Sequence, residues 1–404
     1  MVPNGWRLIA LENIADPSAA IRYGVVQIGE HTENGIPIVP IKFIKSIDTA
    51  KLHRVSASIE AKYKNSRIHT GDVLISVKGT IGAVGIVPEG FSGNIAREIA
   101  RIRPSVKYDS NYIAFQLQAD HTQREIENLT VGTTRKEFSI HTLKKFEILV
   151  PPLNEQQKIV KILSTWDQAI SATEKLLRNS QQQKKALMQQ LLMGKKRLLD
   201  ENGVRFSEKW KIFCLADIAE MNSGGTPKSS VAEYYDGGIP WVSIADMTNH
   251  GKWISTTERT LTSLGVENSS ARLYPKNTIL YAMYASIGEC SIAKVEVTSS
   301  QAILGIRPKD CLHYEFLYFY LCSLKDRIKL QGQQGTQSNL NAGMVKDFKI
   351  NLPNLKEQQA IANVLNICDE EILVLQKKLD CLKQEKKALM QQLLTGKKRV
   401  KVAA

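Results

Sequence analysis

Several short, glycine-containing segments of this sequence concentrate side chains that can hydrogen-bond bases or neutralise phosphates. They include Lys78-Gly79-Thr80, residues 132–136 and residues 331–339. In the major groove of DNA, arginine and lysine can pair with guanine, and asparagine and glutamine with adenine. Backbone N–H groups of such loops can also hold phosphates. Since the net charge is +14 at pH 7 and the pI is near 9.3, these segments predict contact with a polyanion.

The candidate contact residues are basic, phenolic, hydroxyl or amide side chains, and six of them stand directly beside a glycine. They are Arg22, Tyr23, Lys78, Thr80, Thr133, Arg135, Lys136, Thr226, Lys228, Tyr281, Tyr284, Gln334, Gln337 and Asn339. An ordinary polar turn is the alternative for each of them, because turns use many of the same residue types.

The sequence contains none of the motifs that usually carry catalysis on nucleotides or peptides. We find no GxxxxGK[ST] phosphate loop, no Asn-Pro-Pro-aromatic signature of an adenine methyltransferase, no HExxH and no nuclease cluster of carboxylates and lysine. The seven histidines are scattered singly, and the six cysteines form no CxxC pair. We therefore predict no catalytic residue and no metal site, and we expect free thiols.

A repeated segment indicates how the candidate loops are held. Residues 184–192 (KKALMQQLL) and 194–197 (GKKR) recur 202 positions later, at 386–394 and 396–399. The match extends upstream without a gap to Glu155-Gln156-Gln157, which corresponds to 357–359. A repeat without insertions indicates regular structure, and a repeat also determines how the whole fold is interpreted.

Both repeated blocks have the 4,3 spacing of apolar residues that is typical of a coiled-coil seam. The predicted seam consists of Ile159, Leu163, Trp166, Ile170, Leu177, Leu187, Leu191, Ile361, Leu365, Cys368, Ile372, Leu379, Leu389 and Leu393. We favour antiparallel pairing of the two helices, which would place the variable blocks at opposite ends with pseudo-twofold symmetry. The alternative is that each helix packs on its own domain or forms a dimer.

The variable blocks are predicted to be mixed α/β with β-rich centres, because β-branched stretches alternate with glycine and proline. Residues 25–28, 36–43, 73–77, 81–87 and 99–103 are such stretches in the first block. The fold class is therefore α+β, with two tandem domains and two long helices. The predicted segments are a first domain (1–152), a central helix (153–197), a second domain (198–353), a C-terminal helix (354–399) and a tail (400–404).

The two repeated blocks begin with a Pro-x-Leu-x-Glu-Gln-Gln pattern. It stands at 151–157 and again at 353–359, where Asn354 and Leu355 occupy its second and third positions. Both blocks end in Gln-Gln-Leu-Leu-x-Gly-Lys-Lys-Arg, at 189–197 and 391–399. With two variable domains between them, these patterns resemble the specificity subunits of type I restriction-modification systems over essentially the whole chain. The stretch 223–227 (SGGTP) is similar to the opening of many target-recognition domains in that family. The first domain departs from it, with Arg22-Tyr23-Gly24 instead.

The resemblance implies a non-catalytic subunit that recognises the two halves of a bipartite double-stranded DNA target. It also implies two methyltransferase subunits docked on the helices, and restriction subunits that join them. S-adenosylmethionine, ATP and magnesium would belong to those partners, with no cofactor bound by this chain. A free-standing coiled-coil DNA-binding protein and a cryptic nucleic-acid-modifying enzyme remain alternatives. With no apolar run of 18 residues and no signal peptide, we expect a cytoplasmic protein without a membrane segment.

Overall fold

The computed structural model describes residues 2–49, 51–132, 136–284, 286–333 and 340–401. The chain forms two compact units. The first consists of Met1–Glu174 with Lys377–Ala404, and the second of Lys175–Gln376. In the described ranges, no helix is long and apolar enough to cross a membrane.

The first unit contains nine strands and six helices in its described part, the last helix being shared with the second unit. The strands are β1 (Arg7–Ala10), β2 (Arg22–Tyr23), β3 (Ile36–Val39), β4 (His53–Val55), β5 (Val73–Ser76), β6 (Val84–Ile86), β7 (Asn94–Ile95), β8 (Ile99–Ile102) and β9 (Glu147–Val150). The helices are α1 (Leu11–Ile14), α2 (Ala57–Glu60), α3 (Ser110–Gln118), α4 (Asp120–Asn128), α5 (Ile140–Lys145) and α6 (Leu153–Leu191).

A four-stranded antiparallel sheet of order β2-β8-β5-β6 forms the centre of the first unit. A three-stranded sheet of order β4-β3-β7 and the antiparallel pair β1-β9 accompany it. Val73 and Ile75 of β5 belong to the core that includes Tyr112 of α3. Leu74 belongs instead to the cluster that includes Val39 of β3. Since alternate residues of a strand point to opposite faces, the central sheet is covered on both faces, by helix α3 and by the smaller sheet.

The second unit continues the numbering with ten strands and six further helices in its described part. The strands are β10 (Lys211–Cys214), β11 (Ala219–Ser223), β12 (Tyr235–Val242), β13 (Trp253–Ile254), β14 (Arg259–Leu261), β15 (Ile279–Ala282), β16 (Cys290–Ala293), β17 (Thr298–Ser299), β18 (Ile303–Pro308) and β19 (Lys349–Leu352). The helices are α7 (Leu215–Ile218), α8 (Ile244–His250), α9 (Ser263–Glu267), α10 (Tyr314–Gln333), α11 (Ala342–Lys346) and α12 (Leu355–Leu393), and α12 ends in the first unit.

The second unit has the same layers in the same order. Its central sheet is β11-β18-β15-β16-β13, with a three-stranded sheet β14-β12-β17 and the pair β10-β19. Ile279 and Tyr281 of β15 pack in the cluster that contains Phe316 of α10, whereas Leu280 lies in the cluster with Val242 of β12. The two variable blocks therefore share one architecture.

Four of the strand predictions for the first block agree with β3, β5, β6 and β8, although the strands are shorter than predicted. The prediction for residues 25–28 was wrong. Val25 makes only an isolated bridge to Ala96, because the chain leaves the sheet after Tyr23, at the close approach of Gly24 to the Ile95 carbonyl.

The two long helices end at equivalent glycines. Gly194 and Gly396 have φ values of 67° and 69°, the left-handed conformation that commonly follows a helix and that glycine adopts without strain. The N–H of Lys196 donates to the Gln190 carbonyl at 3.1 Å, which caps the last turn. Both helices therefore end before the Lys-Lys-Arg sequence, so the predicted helical segments extend a few residues too far.

Within the first unit, the part of α6 up to Glu174 runs beside the last part of α12. Asp167 pairs with Lys386 at 2.5 Å and Glu174 with Lys383 at 2.8 Å, so residue numbers rise on one helix as they fall on the other. The seam residues predicted in these helix segments are buried or half-buried. The apolar stripe of each segment is thus covered.

Within the second unit, the remaining parts of the two helices make the reciprocal contacts. Lys184 forms an ion pair with Asp369, and the Ser180 hydroxyl donates to the Glu371 carboxylate at 3.2 Å. The residue numbers again run in opposite directions. The predicted seam residues in these segments are also buried or half-buried.

A buried glutamate organises each helix start. In the first unit, Glu155 accepts from the Trp6 indole at 3.2 Å and from two guanidinium nitrogens of Arg399 at 2.7 Å. In the second unit, Glu357 makes the same bonds to Trp210 at 3.1 Å and to Arg197 at 2.5 and 2.7 Å. We call each set a Trp–Glu–Arg cluster.

We predict that Glu357→Ala lowers the free energy of unfolding by about 3 kcal/mol, because it leaves a largely buried arginine without its carboxylate. The matched control is Glu201→Ala, which breaks an exposed ion pair with Lys356 at 3.6 Å and should cost less than about 1 kcal/mol. Urea-unfolding midpoints measure both effects. Equal effects would contradict a stabilising role for the cluster.

Candidate nucleic-acid interface

In the first unit, the structure brings Tyr23 and Lys78 together. Tyr23 ends the edge strand β2 and is 46% exposed. Lys78 follows β5, and its ammonium group lies 5.5 Å from the centre of the Tyr23 ring. The same ammonium lies 3.1 Å from the Glu137 carboxylate. The lysine is therefore held between an aromatic face and an acid, while 37% of its side chain remains open to solvent.

The turn that follows Lys78 is rigid. The Ser76 hydroxyl donates to the Thr80 carbonyl at 2.5 Å and accepts from the Ala83 N–H at 2.8 Å. The Gly82 N–H donates to the Ser76 carbonyl at 3.0 Å. These bonds fix an exposed turn in which Thr80 is accessible, and a fixed turn loses little conformational entropy on binding a ligand.

Lys136 lies beside this turn. It is exposed, and together with Thr80 and Arg124 it lines a cavity of about 560 Å³. The N–H of the next residue, Glu137, donates to the Val131 carbonyl at 3.0 Å, which closes the base of the loop. The predicted contact residues Thr133 and Arg135 lie outside the described residues.

Arg22 is exposed at the start of β2 and, with Tyr23, lines a second cavity of about 420 Å³. Its partner across the sheet is Arg101, which is only 3% exposed. Burial lowers the pKa of Arg101; the Asp72 charge raises it, and the neighbouring Arg103 and Arg22 charges lower it further. Two arginines therefore lie side by side on this edge of the sheet.

In the second unit, Thr226 and Lys228 lie in the exposed segment after β11. The Trp241 indole donates to the Gly225 carbonyl at 3.0 Å, and the Tyr235 hydroxyl to the Pro227 carbonyl at 2.8 Å. These two aromatic donors hold the backbone on either side of Thr226. Gln334, Gln337 and Asn339 lie outside the described residues.

The two predicted tyrosines of the second unit have different environments. Tyr284, just after β15, is 39% exposed. Tyr281 is fully buried, its hydroxyl has no hydrogen-bond partner among the described residues, and burial raises its pKa. A side chain with no exposure cannot contact DNA in this conformation, so the assignment of Tyr281 to the interface was wrong. The physical reason is strand alternation, which directs residue 281 toward α10.

A close backbone approach marks equivalent positions in the two units. A Cβ atom on Gly24 would lie 1.7 Å from the Ile95 carbonyl oxygen, and one on Gly224 would lie 2.3 Å from the Ser299 carbonyl oxygen. In both units this glycine follows the edge strand of the central sheet. The residues just before the two glycines therefore occupy the same place in the fold.

A second pair of positions is defined by hydrogen bonds at the end of the central strand. Val77 accepts from the N–H of Phe138 at 2.9 Å, and Met283 accepts from the N–H of Leu340 at 3.2 Å. Val77 follows β5 directly, and Met283 follows β15. The next residues, Lys78 in the first unit and Tyr284 in the second, therefore occupy equivalent positions.

At these equivalent places the side chains differ. Tyr23 and Lys78 lie there in the first unit, and Ser223 and Tyr284 in the second. The tyrosine stands at the end of the edge strand in the first unit and just after the central strand in the second. The second unit has no lysine at either position. The two units therefore present different hydrogen-bonding groups on the same scaffold.

The described residues contain no group of three or more His, Cys, Asp and Glu side chains that could hold a metal ion. Sequence reasoning did not single out Lys62 and Lys144, which line the cavity with Arg22. The only local signal was alternation of basic and aromatic residues in Lys62-Tyr63-Lys64.

Comparison with known proteins decides the family. The family model described as the type I restriction modification DNA specificity domain matches the chain twice, at residues 23–180 and 207–384. The chain belongs to this specificity family. The first match begins in β2 and the second shortly before β10, and each ends within a long helix.

Individual relatives agree with the family match. The chain is 27% identical to the putative MjaX specificity subunit of Methanocaldococcus jannaschii, over 99% of this chain and 95% of that one. It is 34% identical to the MjaIX specificity subunit of the same organism, over 42% of this chain and 40% of that one. The chain thus spans less than half the length of the MjaIX subunit in that match.

Solved structures of the family share the fold. The S subunit of the type I restriction-modification system of M. genitalium superposes with a TM-score of 0.60 at 16% identity, over 98% of both chains. A structure from work on complex assembly and conformational transition of the type I restriction-modification system gives 0.61 at 18% identity, also over 98% of both chains.

We predict that Tyr281→Phe leaves the free energy of unfolding unchanged or raises it by up to about 1 kcal/mol, because it removes a buried hydroxyl without a partner. Tyr274→Phe is the matched control, since the Tyr274 hydroxyl donates to the Asn222 carbonyl at 2.8 Å. That substitution should cost about 1 kcal/mol. Urea unfolding compares the free energies of unfolding of the variants. A clear loss of stability in Tyr281→Phe would contradict the description of the Tyr281 hydroxyl as a buried group without a partner.

Proposed function

We propose that this chain is the non-catalytic DNA-recognition subunit of a type I restriction-modification complex, in which each unit binds one half of a bipartite target. The observation that carries the proposal is the double match to a DNA specificity domain. The shared layers of the two units agree with it, because one scaffold used twice is suited to binding two half-sites.

The differences at equivalent positions support two different half-sites. Lys78 can donate to the O6 and N7 acceptors of guanine, and it is held in place by Glu137 and Tyr23. The second unit has Tyr284 at that position and no lysine. A donor that favours guanine in one unit and a phenol in the other would select different bases.

We further propose that α6 and α12 pair along their length as an antiparallel coiled coil with pseudo-twofold symmetry. The oppositely directed ion pairs within each unit and the two Trp–Glu–Arg clusters support it. At 1.5 Å per residue, a helix of 39 residues is about 58 Å long. Since DNA rises about 3.4 Å per base pair, such a rod would fix the gap between half-sites within roughly 17 base pairs.

The helices are also the proposed docking surface for two methyltransferase subunits. Ile367, Leu373 and Val374 of α12 are between 53% and 65% exposed, and apolar surface of this kind is typical of an interface. Restriction subunits would join that core. S-adenosylmethionine, ATP and magnesium would be bound by the partners, and the complex would act in the cytoplasm.

The target adenines would be extruded from the duplex by the methyltransferase subunits, because the reacting atom of a stacked base is out of reach. The chain itself then needs no catalytic group. Its role is to hold the partners over the correct adenines, which is a matter of affinity and geometry.

We predict that Lys78→Ala changes one half-site only. When the chain is produced with its methyltransferase, sequencing that detects methyladenine should give a bipartite motif for the unaltered pair and none for either protein alone. In the variant, discrimination at one guanine of a single half-site should fall by about 1–3 kcal/mol, because the donor is lost.

The matched control is Lys107→Ala, an exposed lysine that lies between β8 and α3 instead of beside Tyr23. It should leave the motif unchanged. Methylation by the chain without a partner would contradict the non-catalytic role. A motif unaltered by Lys78→Ala, or altered in both halves, would contradict the placement of base recognition at Lys78.

A further inference from the structure

The second cavity of the first unit carries an unusual set of charges. It lies between the end of β2, the 3-10 helix Ala61–Ser66 and α5, and it encloses about 420 Å³. Arg22, Lys62 and Lys144 line it. None of these three cations has an acidic partner in the part of the chain that the structure describes. Unpaired cations around one concave surface favour an anionic ligand.

The strand next to Arg22 adds a buried positive charge that does not itself line the cavity. Arg101, the cross-strand partner of Arg22, is buried and donates to the carbonyls of Ala20 at 2.8 Å and Arg67 at 3.2 Å. Its Nε has no hydrogen-bond partner. Carbonyl groups satisfy hydrogen bonds but do not cancel a charge, so the field of this guanidinium remains.

The two acids whose charges act on Arg101, and the acid that precedes the 3-10 helix, all have hydrogen-bonding partners. Asp72 makes two bonds of 2.7 Å to Arg103, and Asp16 accepts from both the N–H and the hydroxyl of Ser18. Glu60 pairs with Arg67. Asp72 and Glu60 are each neutralised by an arginine, whereas Asp16 keeps its charge because Ser18 is neutral. One remaining carboxylate charge against the three lining cations leaves the wall formed by Arg22, Lys62 and Lys144 net positive.

We propose that this cavity is an anchor for a backbone phosphate of the DNA, and that it adjoins, at Tyr23, the edge proposed to recognise bases with Lys78. The proposal rests on the DNA-binding function proposed above and assigns a second task to the same unit. Flexible lysines act on phosphates as point charges, and contacts to phosphate set the register of a protein on the duplex without selecting sequence.

The position of the cavity fits this division. Arg22 lines the cavity, and the next residue, Tyr23, contacts Lys78 as well as lining the cavity. A phosphate bound at Arg22 would therefore hold the duplex next to the residues proposed to contact its bases. In the second unit, Asn222 and Gly305 form the cross-strand pair that corresponds to Arg22 and Arg101. The pair of arginines is therefore a feature of the first unit.

The test is the double variant Lys62→Ala with Lys144→Ala, assayed as the complete chain with its methyltransferase. The affinity for a duplex carrying the methylated motif is measured across a salt titration. Each lost phosphate contact should lower the slope of log affinity against log salt by about 0.9. Because the cavity is proposed to hold one phosphate, the double variant should therefore lose roughly threefold to fourfold less affinity than the unaltered chain between about 50 and 200 mM salt.

The matched control is Lys64→Ala with Lys145→Ala. It removes the same charge from the same two elements, but these exposed lysines do not line the cavity. It should keep the slope of the unaltered chain. The charge-conserving variant Lys62→Arg with Lys144→Arg should also keep most of that slope, and none of the three should change the methylated motif.

Equal reductions of the slope in both alanine pairs would overturn the anchor, because they would show a general effect of net charge. A changed base preference at the first half-site would overturn it too, in favour of base recognition by the cavity. Failure of the proposed function is separate, since it would show in the unaltered complex as an absence of sequence-specific binding.

Discussion

The buried carboxylates of Glu155 and Glu357 are the constraint on which the two units depend. A carboxylate with almost no exposure is stable only when charged and hydrogen-bonding partners surround it. Each finds them in an indole from the start of its domain and a guanidinium just beyond a helix end. In the first unit the guanidinium belongs to Arg399, which is 244 positions away in sequence. The unit formed by the N-terminal domain is therefore completed by the last part of the chain.

The Trp–Glu–Arg clusters explain which parts of the two units must be the same and which parts are free to differ. The helix starts, the glutamates and the terminal glycines are repeated because they make the same contacts in each unit. The ends of the central strands make no such contacts with the repeated helices. Tyr23 and Lys78 could therefore be exchanged for Ser223 and Tyr284 while the layers beneath them stayed the same.

The long helices could be predicted from sequence because their signal is local and periodic. A gapless repeat, a 4,3 apolar spacing and flanking prolines and glycines defined them to within a few residues. The layers of the two domains could not be derived in the same way. Whether Val73 and Leu74 face α3 or the smaller sheet depends on partners far away in sequence, and the prediction for residues 25–28 failed because one close approach at Gly24 ends the strand early.

The candidate interface shows the same division. Lys78 and Thr80 were suggested by a Gly-rich turn, and the structure places them beside Tyr23 and Lys136. Tyr281 and Tyr284 look alike in sequence, but strand alternation buries one and exposes the other. Lys62 and Lys144 had little signal, because a surface lysine becomes distinctive only when the fold brings it to Arg22.

We propose that α6 and α12 set the distance between the two half-sites, and a change of helix length tests this proposal most directly. Four residues inserted after Lys175 and after Lys377, which are equivalent exposed positions, would lengthen each helix by about 6 Å. Mapping of adenine methylation should then give the same two half-sites, separated by a gap that is longer by about one to two base pairs. An unchanged gap with unchanged half-sites would contradict the account.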